Sequence, residues 1–148
     1  MNNITYIKDF TEWKKDFKFY VPIRVRFSET DMFGHVNNVS AFIYFEQARI
    51  DFFKDRRLFM NFDDPNISGV PVVADLQCDF HKQMFFDDQI KLYVKVATIG
   101  RTSLDIHYMA INEQDDICLT GRGRIVYINR HTGKPMPLTD DIVQKLTN

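Results

Sequence analysis

The chain has 148 residues, of which 45% are hydrophobic, and it carries a formal net charge of −1. This length is typical of one domain, and the charge argues against a protein that binds nucleic acid through a broad basic face. No run of about 18 apolar residues predicts a membrane span. The first residues lack the pattern of a signal peptide. We therefore expect one domain over residues 1–148 that acts in the cytoplasm, on neither nucleic acid nor membranes.

The first predicted elements are a short helix and a strand. Three aromatic residues recur at spacings of three and four, which is typical of an amphipathic helix: Phe10, Trp13 and Phe17. A strand is predicted over residues 19–27, because Val25 and Phe27 alternate there with polar side chains.

A polar turn over residues 29–38 separates this strand from a central helix of about four turns, which ends near residue 56. The helix is apolar on most of its circumference, and such a helix is normally buried. Later segments of the chain predict strands. We therefore expect a curved sheet to wrap around the central helix.

Four further strands are predicted, over residues 72–82, 89–98, 103–112 and 117–128. The short connections between them favour an antiparallel meander, and residues 61–71 predict a loop. Thr139 can cap a short last helix that ends near residue 146. One strand, one buried helix and four strands predict an α+β domain with a core over about residues 19–137, between short helical extensions.

The turn before the central helix is the best place for chemistry. Asp31 lies close to the helix start, where backbone N–H groups are unpaired and the helix dipole is positive. A carboxylate beside such donors suits acyl transfer, because one group acts on a carbonyl carbon or a water and the other receives the oxyanion. On composition alone, Asp31 could instead cap the turn or the helix.

Two sequence motifs point to a known family. Residues 29–38 read ETDMFGHVNN, and residues 46–49 place a Glu-x-Ala-Arg segment in an aromatic-rich helix. Together they resemble the 4-hydroxybenzoyl-CoA thioesterase family of the hotdog-fold superfamily, and weaker similarity extends to about residue 137. The resemblance implies a five-stranded antiparallel sheet curled around one long helix. It also implies an acyl-CoA thioesterase without a cofactor, acting as a homodimer or homotetramer with active sites at the subunit boundary.

The resemblance assigns roles within the first motif. Asp31 falls on the family's catalytic carboxylate, and the backbone N–H of Asn38 falls on its oxyanion donor. Gly34 is expected to allow a positive φ or a close approach in the loop. His35 is interpreted chiefly as a pocket residue, because related hydratases place their histidine five residues after the aspartate rather than four.

Glu46 is a reserve catalytic residue. A second branch of the superfamily uses a helix glutamate as its base, and Glu46 lies among apolar residues of the central helix. A carboxylate in such a place needs a partner, and Arg49 is close enough on the helix to provide one.

The resemblance also places the phosphates of coenzyme A near a strand-to-strand turn formed by Arg101, Thr102 and Ser103. Arginine suits phosphate because its donors form a rigid planar fork. Lys82 and Arg130 are weaker candidates for the same role.

A few residues bear on metal binding and on the pairing of chains. Cys78 and Cys118 lack ligand spacing, and no cluster of His, Cys and Asp residues predicts a metal site. Gly121 and Gly123 in the last predicted strand would let another backbone approach closely, which favours pairing of chains.

Several alternatives stay open. An acyl-ACP thioesterase would need a basic surface for its acidic carrier, and a hotdog dehydratase or hydratase is disfavoured by the motif. A non-catalytic acyl-CoA-binding module belongs to a different functional class. If the protein is a thioesterase, Asp31 acts either as a general base on water or as a nucleophile through a mixed anhydride.

Overall fold

A computed structural model describes residues 4–61 and 63–147, so residues 1–3, 62 and 148 of the predicted domain lie outside the described part. Its helices and strands run in the order α1 (Phe10–Lys15), β1 (Phe19–Arg24), α2 (Asn38–Asp55), β2 (Gly69–Phe80), β3 (Gln89–Ile99), β4 (Ser103–Ile111), β5 (Ile117–Asn129) and α3 (Asp140–Thr147). A single 3-10 turn, Phe27–Glu29, lies between β1 and α2 in this part of the chain.

The five strands form one antiparallel sheet in the order β1-β3-β4-β5-β2. The predicted meander is confirmed for β3, β4 and β5, which are neighbours in both sequence and space. It is wrong for β2, which pairs with β5 and lies at one edge of the sheet. The short segment from β2 to β3 therefore crosses the end of the sheet and does not form a hairpin.

Helix α2 packs on one face of this sheet and supplies much of the core. Phe45, Ala48 and Phe52 are buried there, and the Phe45 ring stacks on Tyr108 of β4 with 4.4 Å between ring centroids. This is the expected hotdog arrangement, and that prediction is confirmed. The burial of apolar surface between helix and sheet is the main stabilising contribution.

The prediction that α2 is buried over most of its circumference is wrong. Three of its apolar side chains remain exposed in one chain by 67%, 52% and 36%: Val39, Ile43 and Ile50. They follow the outward side of the helix, because its other side already faces the sheet.

The N-terminal helix packs on part of the opposite face of the sheet, where Trp13, together with Phe17 just after the helix, joins Met109 and Ile111 in a second apolar cluster. The Trp13 indole N–H also donates to Nδ1 of His107 at 2.8 Å. The predicted first helix is thus confirmed. The predicted cap of the last helix is confirmed as well, because Thr139 Oγ1 accepts the N–H of Ile142.

The first strand is shorter than predicted. β1 ends at Arg24, although Val25 is still buried and exchanges backbone hydrogen bonds with residues 87 and 88. Phe27 lies in the 3-10 turn with its side chain exposed, and so it does not continue the alternation. The chain turns here because the carboxylate of Glu29 accepts the N–H of Arg26.

The two glycines of β5 serve packing within the chain, so the oligomer argument drawn from them is wrong. A Cβ on Gly121 would collide with the ring of Phe45, and a Cβ on Gly123 would lie 2.7 Å from a methyl carbon of Leu76. Both positions lack a side chain because α2 and β2 already fill that space.

Gly121→Ala should lower the free energy of unfolding by about 1–3 kcal/mol, the usual cost of overpacking a core. The new Cβ would meet the Phe45 ring and lie 2.9 Å from the carbonyl oxygen of Gln77. Urea unfolding measures the change. Gly100→Ala is the control, since its Cβ would lie 3.4 Å from the Ser103 carbonyl and should change stability by less than about 0.5 kcal/mol. Equal stability of the two variants would contradict the close packing described for β5.

Candidate active site

The loop between β1 and α2 is closed by the side chain of Asp31. Its Oδ1 accepts the N–H of Phe33 at 2.8 Å and the N–H of His35 at 3.2 Å. Gly34 has a φ of +83°, a left-handed conformation that glycine adopts without strain. Asp31 therefore does cap the turn, which is the structural role weighed for it from the sequence.

The second carboxylate oxygen of Asp31 is available for chemistry. Oδ2 accepts no hydrogen bond from any residue in the described ranges, and the side chain is exposed. Capping and catalysis are thus compatible, because they use different oxygens of one carboxylate. The hydrogen bonds to Oδ1 fix the direction of Oδ2.

The start of α2 presents free donors. Asn37 is the N-cap, and its side-chain oxygen accepts the N–H of Ser40 at 2.8 Å. The N–H groups of Asn38 and Val39 belong to the first turn, where a helix offers no acceptor. Neither has an acceptor elsewhere among the residues that the structure describes. Two free N–H groups at the positive end of a helix form a site for an anionic oxygen.

A buried carboxylate holds this loop against the helix. Glu29 accepts hydrogen bonds from the N–H of Arg26 at 2.8 Å and from the Tyr44 hydroxyl at 2.9 Å. The Arg26 guanidinium adds an ion pair, and the Glu29 carbonyl accepts the N–H of Asn37 at 2.9 Å. We call these four residues, Arg26, Glu29, Asn37 and Tyr44, the Glu29 clamp.

The pKa of Glu29 reflects two opposing causes. Burial alone would raise it, but the hydrogen bonds from Arg26 and Tyr44 outweigh burial and lower the pKa below its ordinary value. Burial and the adjacent Glu29 raise the pKa of Tyr44. At neutral pH the pair is therefore a carboxylate accepting from a neutral phenol. Reasoning from the sequence did not single out either residue, and the only available signal was the Glu-Thr-Asp start of the motif.

Asp31 and the start of α2 border a common cleft of about 320 Å³. Its lining combines residues from the loop, the helix start, the end of β2, the segment that follows β2, and β5: Asp31, His35, Val36, Asn38, Phe80, His81, Lys82, Gln83, Met84 and Leu119. The fold thus brings four sequence-predicted site residues together, namely Asp31, His35, Asn38 and Lys82. The lining also includes apolar walls, which suit an apolar part of a ligand.

Two of these residues already have partners. The His35 ring contacts Phe85 edge-on, with 5.2 Å between ring centroids, and the two residues also form a backbone bridge. This packing fits the predicted role of His35 as a residue of the pocket wall. The Lys82 ammonium forms an ion pair with Asp116, so it would have to leave that carboxylate to meet a phosphate.

The predicted phosphate-binding turn lies far from the cleft within one chain. Ser103 pairs with Val126 of β5, whereas the cleft is bordered by Leu119, near the other end of that strand. Seven residues of strand correspond to about 23 Å. Arg101, Thr102 and Ser103 therefore do not reach the Asp31 cleft of their own chain.

Arg130 and Glu46 also lie outside the cleft lining. The Arg130 guanidinium donates to the carbonyls of residues 64 and 67, so it holds the loop before β2. Glu46 is exposed rather than buried. Arg49 does not pair with it, since Arg49 is buried and donates to the Tyr108 hydroxyl at 3.1 Å. The predicted Glu46–Arg49 pair is therefore wrong.

Two further observations concern ligands and membranes. Across residues 4–61 and 63–147, no group of three or more His, Cys, Asp or Glu side chains is placed to hold a metal ion. None of the helices in the described part of the chain is long and apolar enough to cross a membrane.

Known proteins are similar to this chain in sequence and in fold. Residues 25–146 match the sequence profile of the thioesterase-like superfamily. The uncharacterized Bacillus subtilis protein YsmA is 42% identical over 132 residues, which cover 89% of this chain and 87% of that protein.

Two solved structures are also similar to this chain in sequence and fold. A predicted thioesterase from Bacillus stearothermophilus is 33% identical, with a TM-score of 0.77 over 87% of this chain and 93% of that one. A Thermus thermophilus thioesterase, solved with coenzyme A and zinc, is 27% identical, with a TM-score of 0.77 over 89% and 99% of the two chains.

The superfamily match and the solved thioesterases of the same fold support a hydrolase of thioesters, the class of enzyme expected from the sequence. The chain belongs to the thioesterase-like superfamily.

Glu29→Gln should lower the free energy of unfolding at pH 7 by about 1–3 kcal/mol, because a charged acceptor is replaced by a neutral one and the ion pair with Arg26 is lost. A carboxylate with a lowered pKa stabilises the fold above its ordinary pKa, and this contribution disappears as pH falls through the folded pKa. The difference between wild type and variant should therefore shrink below about pH 4. Urea unfolding at pH 7 and at a pH below about 4 measures this difference in unfolding free energy. Glu12→Gln, at an exposed position of α1, is the control, and a pH-independent difference for Glu29→Gln would contradict the clamp.

Proposed function

We propose that the protein is an acyl-CoA thioesterase, which hydrolyses the thioester of a fatty or aromatic acyl group to the free acid and coenzyme A. The observation that carries the proposal is that one cleft is lined both by Asp31, whose Oδ2 accepts no hydrogen bond from the described residues, and by Asn38, whose N–H is unpaired at the helix start. Membership of the thioesterase-like superfamily supports thioester hydrolysis. The acyl group and the carrier are part of the proposal.

The proposed chemistry uses Asp31 and the start of α2. In one route, Asp31 Oδ2 takes a proton from a water that attacks the thioester carbonyl carbon. In the other, the carboxylate attacks that carbon itself, and water then hydrolyses the mixed anhydride. In both routes the carbonyl oxygen becomes anionic and accepts from the N–H of Asn38, and the C–S bond breaks to release the thiol. The adjacent N–H of Val39 offers a second donor.

Coenzyme A is proposed as the carrier, with Arg101 binding a phosphate. The coenzyme A complex of the Thermus thermophilus thioesterase supports the carrier. Because Arg101 lies far from the cleft of its own chain, this role needs a second copy that brings Arg101 to its partner's cleft. The open edge of β2, with Val72 and Val73 exposed, is a surface at which two chains can pair, since an unpaired strand edge offers free backbone groups. A homodimer or homotetramer is therefore proposed.

An acyl-ACP thioesterase is less well supported, because an acidic carrier needs free cations near the cleft. Three nearby cations are each paired with a carboxylate: Arg24 with Asp87, Arg26 with Glu29 and Lys82 with Asp116. A binding module without catalysis remains the alternative from a different class. Release of free thiol from a panel of acyl-CoA substrates distinguishes it from an enzyme.

Asp31→Asn should lower kcat by about 10²–10⁴, the usual contribution of a positioned acid–base group. Asparagine keeps an oxygen for the N–H groups of Phe33 and His35, so the melting temperature should change little. Thiol release and thermal unfolding are measured on the same preparation. Asp115→Asn, in the exposed turn between β4 and β5, is the matched control and should retain full turnover. Near wild-type turnover of Asp31→Asn would remove Asp31 from the mechanism and make Glu46 the next carboxylate to test.

Arg101→Ala should raise KM for acyl-CoA about tenfold, the effect of losing one charge-assisted contact. The corresponding acyl-pantetheine lacks the nucleotide phosphates, so its KM should stay within about twofold. Light scattering should show at least a dimer for both proteins, because the proposed contact crosses between chains. An equal rise in KM for the two substrates would show that Arg101 acts only on the structure, and an active monomer would contradict a contact from a second copy.

A further inference from the structure

The N-terminal segment, residues 4–17, packs on the face of the sheet opposite α2. We call this segment the N-terminal strap. Its anchor is the buried side chain of Trp13. Lys95 of β3 donates to the carbonyl of Trp13, and its ammonium lies 5.0 Å and 4.5 Å from the ring centroids of Trp13 and Phe17. A cation on the sheet thus holds the strap from one side through contacts with two aromatic rings.

The imidazole of His107 on β4 lies buried beneath the strap, and its two nitrogens have different partners. Nδ1 accepts the Trp13 indole N–H at 2.8 Å. Because an indole N–H can only donate, Nδ1 carries no proton, and the proton of the ring is on Nε2, which donates to Asp105 Oδ2 at 3.0 Å. The Tyr6 ring of the strap packs edge-on against the imidazole, with 4.8 Å between ring centroids. The strap therefore closes over the neutral form of His107.

A second proton on His107 does not fit this arrangement. It would add to Nδ1, because Nε2 already carries a proton. The indole N–H of Trp13 and the new N–H of His107 would then point at each other across a hydrogen-bond distance. Two donors cannot bond to one another, and a buried donor without an acceptor is costly. Trp13 must therefore move away when His107 is protonated.

The charged groups around His107 favour its neutral form on balance. Asp105 bonds to the ring but also forms an ion pair with Arg122 of β5, which pairs in turn with Asp75 of β2. Further titratable groups of the strap lie with His107 around the groove between strap and sheet: Tyr6, Lys8, Asp9, Glu12 and Asp16. Burial lowers the pKa of His107, and the attraction of Asp105 opposes this. The cations of Lys95 and Arg122 lower this pKa further.

We propose that the N-terminal strap is an acid-released latch, in which protonation of His107 at Nδ1 breaks its bond with Trp13 and frees the strap from the sheet. In the released form His107 meets water and regains its ordinary pKa of about 6.5, so this form binds the extra proton. A histidine whose pKa is lowered in the docked form stabilises docking at high pH, and docking weakens as pH falls below about 6.5. Release uncovers Met109 and Ile111, which the strap otherwise covers. The latch does not rest on the thioesterase chemistry proposed above.

Hydrogen exchange of the full chain between pH 7.5 and pH 5.5, followed by mass spectrometry, tests the latch. Helix α1 has six residues, and a detached helix of this length does not persist in water, so its amides exchange when the strap is released. After correction for the intrinsic exchange rate, protection of residues 10–17 should be constant above about pH 6.5 and fall about tenfold per pH unit below it. Protection of β4 and β5 should be at least about tenfold higher at each pH, because the sheet stays folded.

Two variants assign the pH dependence to one histidine. His107→Asn places a carbonyl oxygen near the position of Nδ1, where it can accept the indole N–H but cannot be protonated, so the fall in protection should disappear. His131→Asn, at an exposed position, is the matched control and should keep the wild-type fall.

Constant protection of the wild-type strap from pH 7.5 to pH 5.5 would overturn the latch. A His107→Asn strap that keeps the wild-type fall would also overturn it, because another group would then be responsible. Equal protection of the strap and of β4 would mean that the strap opens only when the whole chain unfolds, which overturns a local release. Nitrogen NMR of wild type needs no variant to fold: Nδ1 of His107 should carry no proton at pH 7.5, and a proton there would contradict the anchor.

Discussion

The buried carboxylate of Glu29 is the interaction on which the rest of the site depends. A charged group removed from water is costly unless its oxygens are hydrogen-bonded. Glu29 meets this condition with donors from Arg26 and Tyr44, which come from the turn after the first strand and from the central helix. These partners cannot be satisfied unless the strand, the loop and the helix have one relative position. The position of Asp31, two residues after Glu29, follows from that requirement.

The second constraint is the close contact between the central helix and the sheet. Gly121 leaves room for the ring of Phe45, which also stacks on Tyr108. This contact fixes the depth of the helix against β4 and β5. Because the N-terminus of the same helix carries the free N–H groups of Asn38 and Val39, core packing and the geometry of the oxyanion site are coupled.

Features encoded locally could be predicted from the sequence. The strand segments proposed for β3 to β5 and the apolar residues of the central helix predicted elements close to those observed. The motif at residues 29–38 placed Asp31 and the helix start together, because they are only seven residues apart in the chain. Features that depend on distant pairing were missed. The position of β2 beside β5 is set by contacts between segments about 50 residues apart. No local sequence pattern indicates this pairing.

The same distinction explains the individual errors. Glu46 and Arg49 are close in sequence, yet Arg49 donates instead to the buried Tyr108 hydroxyl on β4. The glycines of β5 were interpreted as room for a second chain, whereas the space is filled by Phe45 and Leu76. Arg101 resembles part of a phosphate site in sequence, but the length of the strands separates it from the cleft of its own chain. In each case a side chain's role is decided by a tertiary neighbour.

The central claim is that Asp31 and the Asn38 N–H act on the same thioester carbonyl. A crystal structure with a ketone analogue, in which a methylene separates the sulfur of coenzyme A from the acyl carbonyl, tests it most directly. The account predicts that the carbonyl oxygen lies within hydrogen-bond distance, about 3 Å, of the Asn38 nitrogen. Asp31 Oδ2 should then lie about 3–3.5 Å from the carbonyl carbon, or contact it through one water. A carbonyl oxygen bound away from the start of the helix, with Asp31 out of reach of the carbonyl carbon, would contradict it.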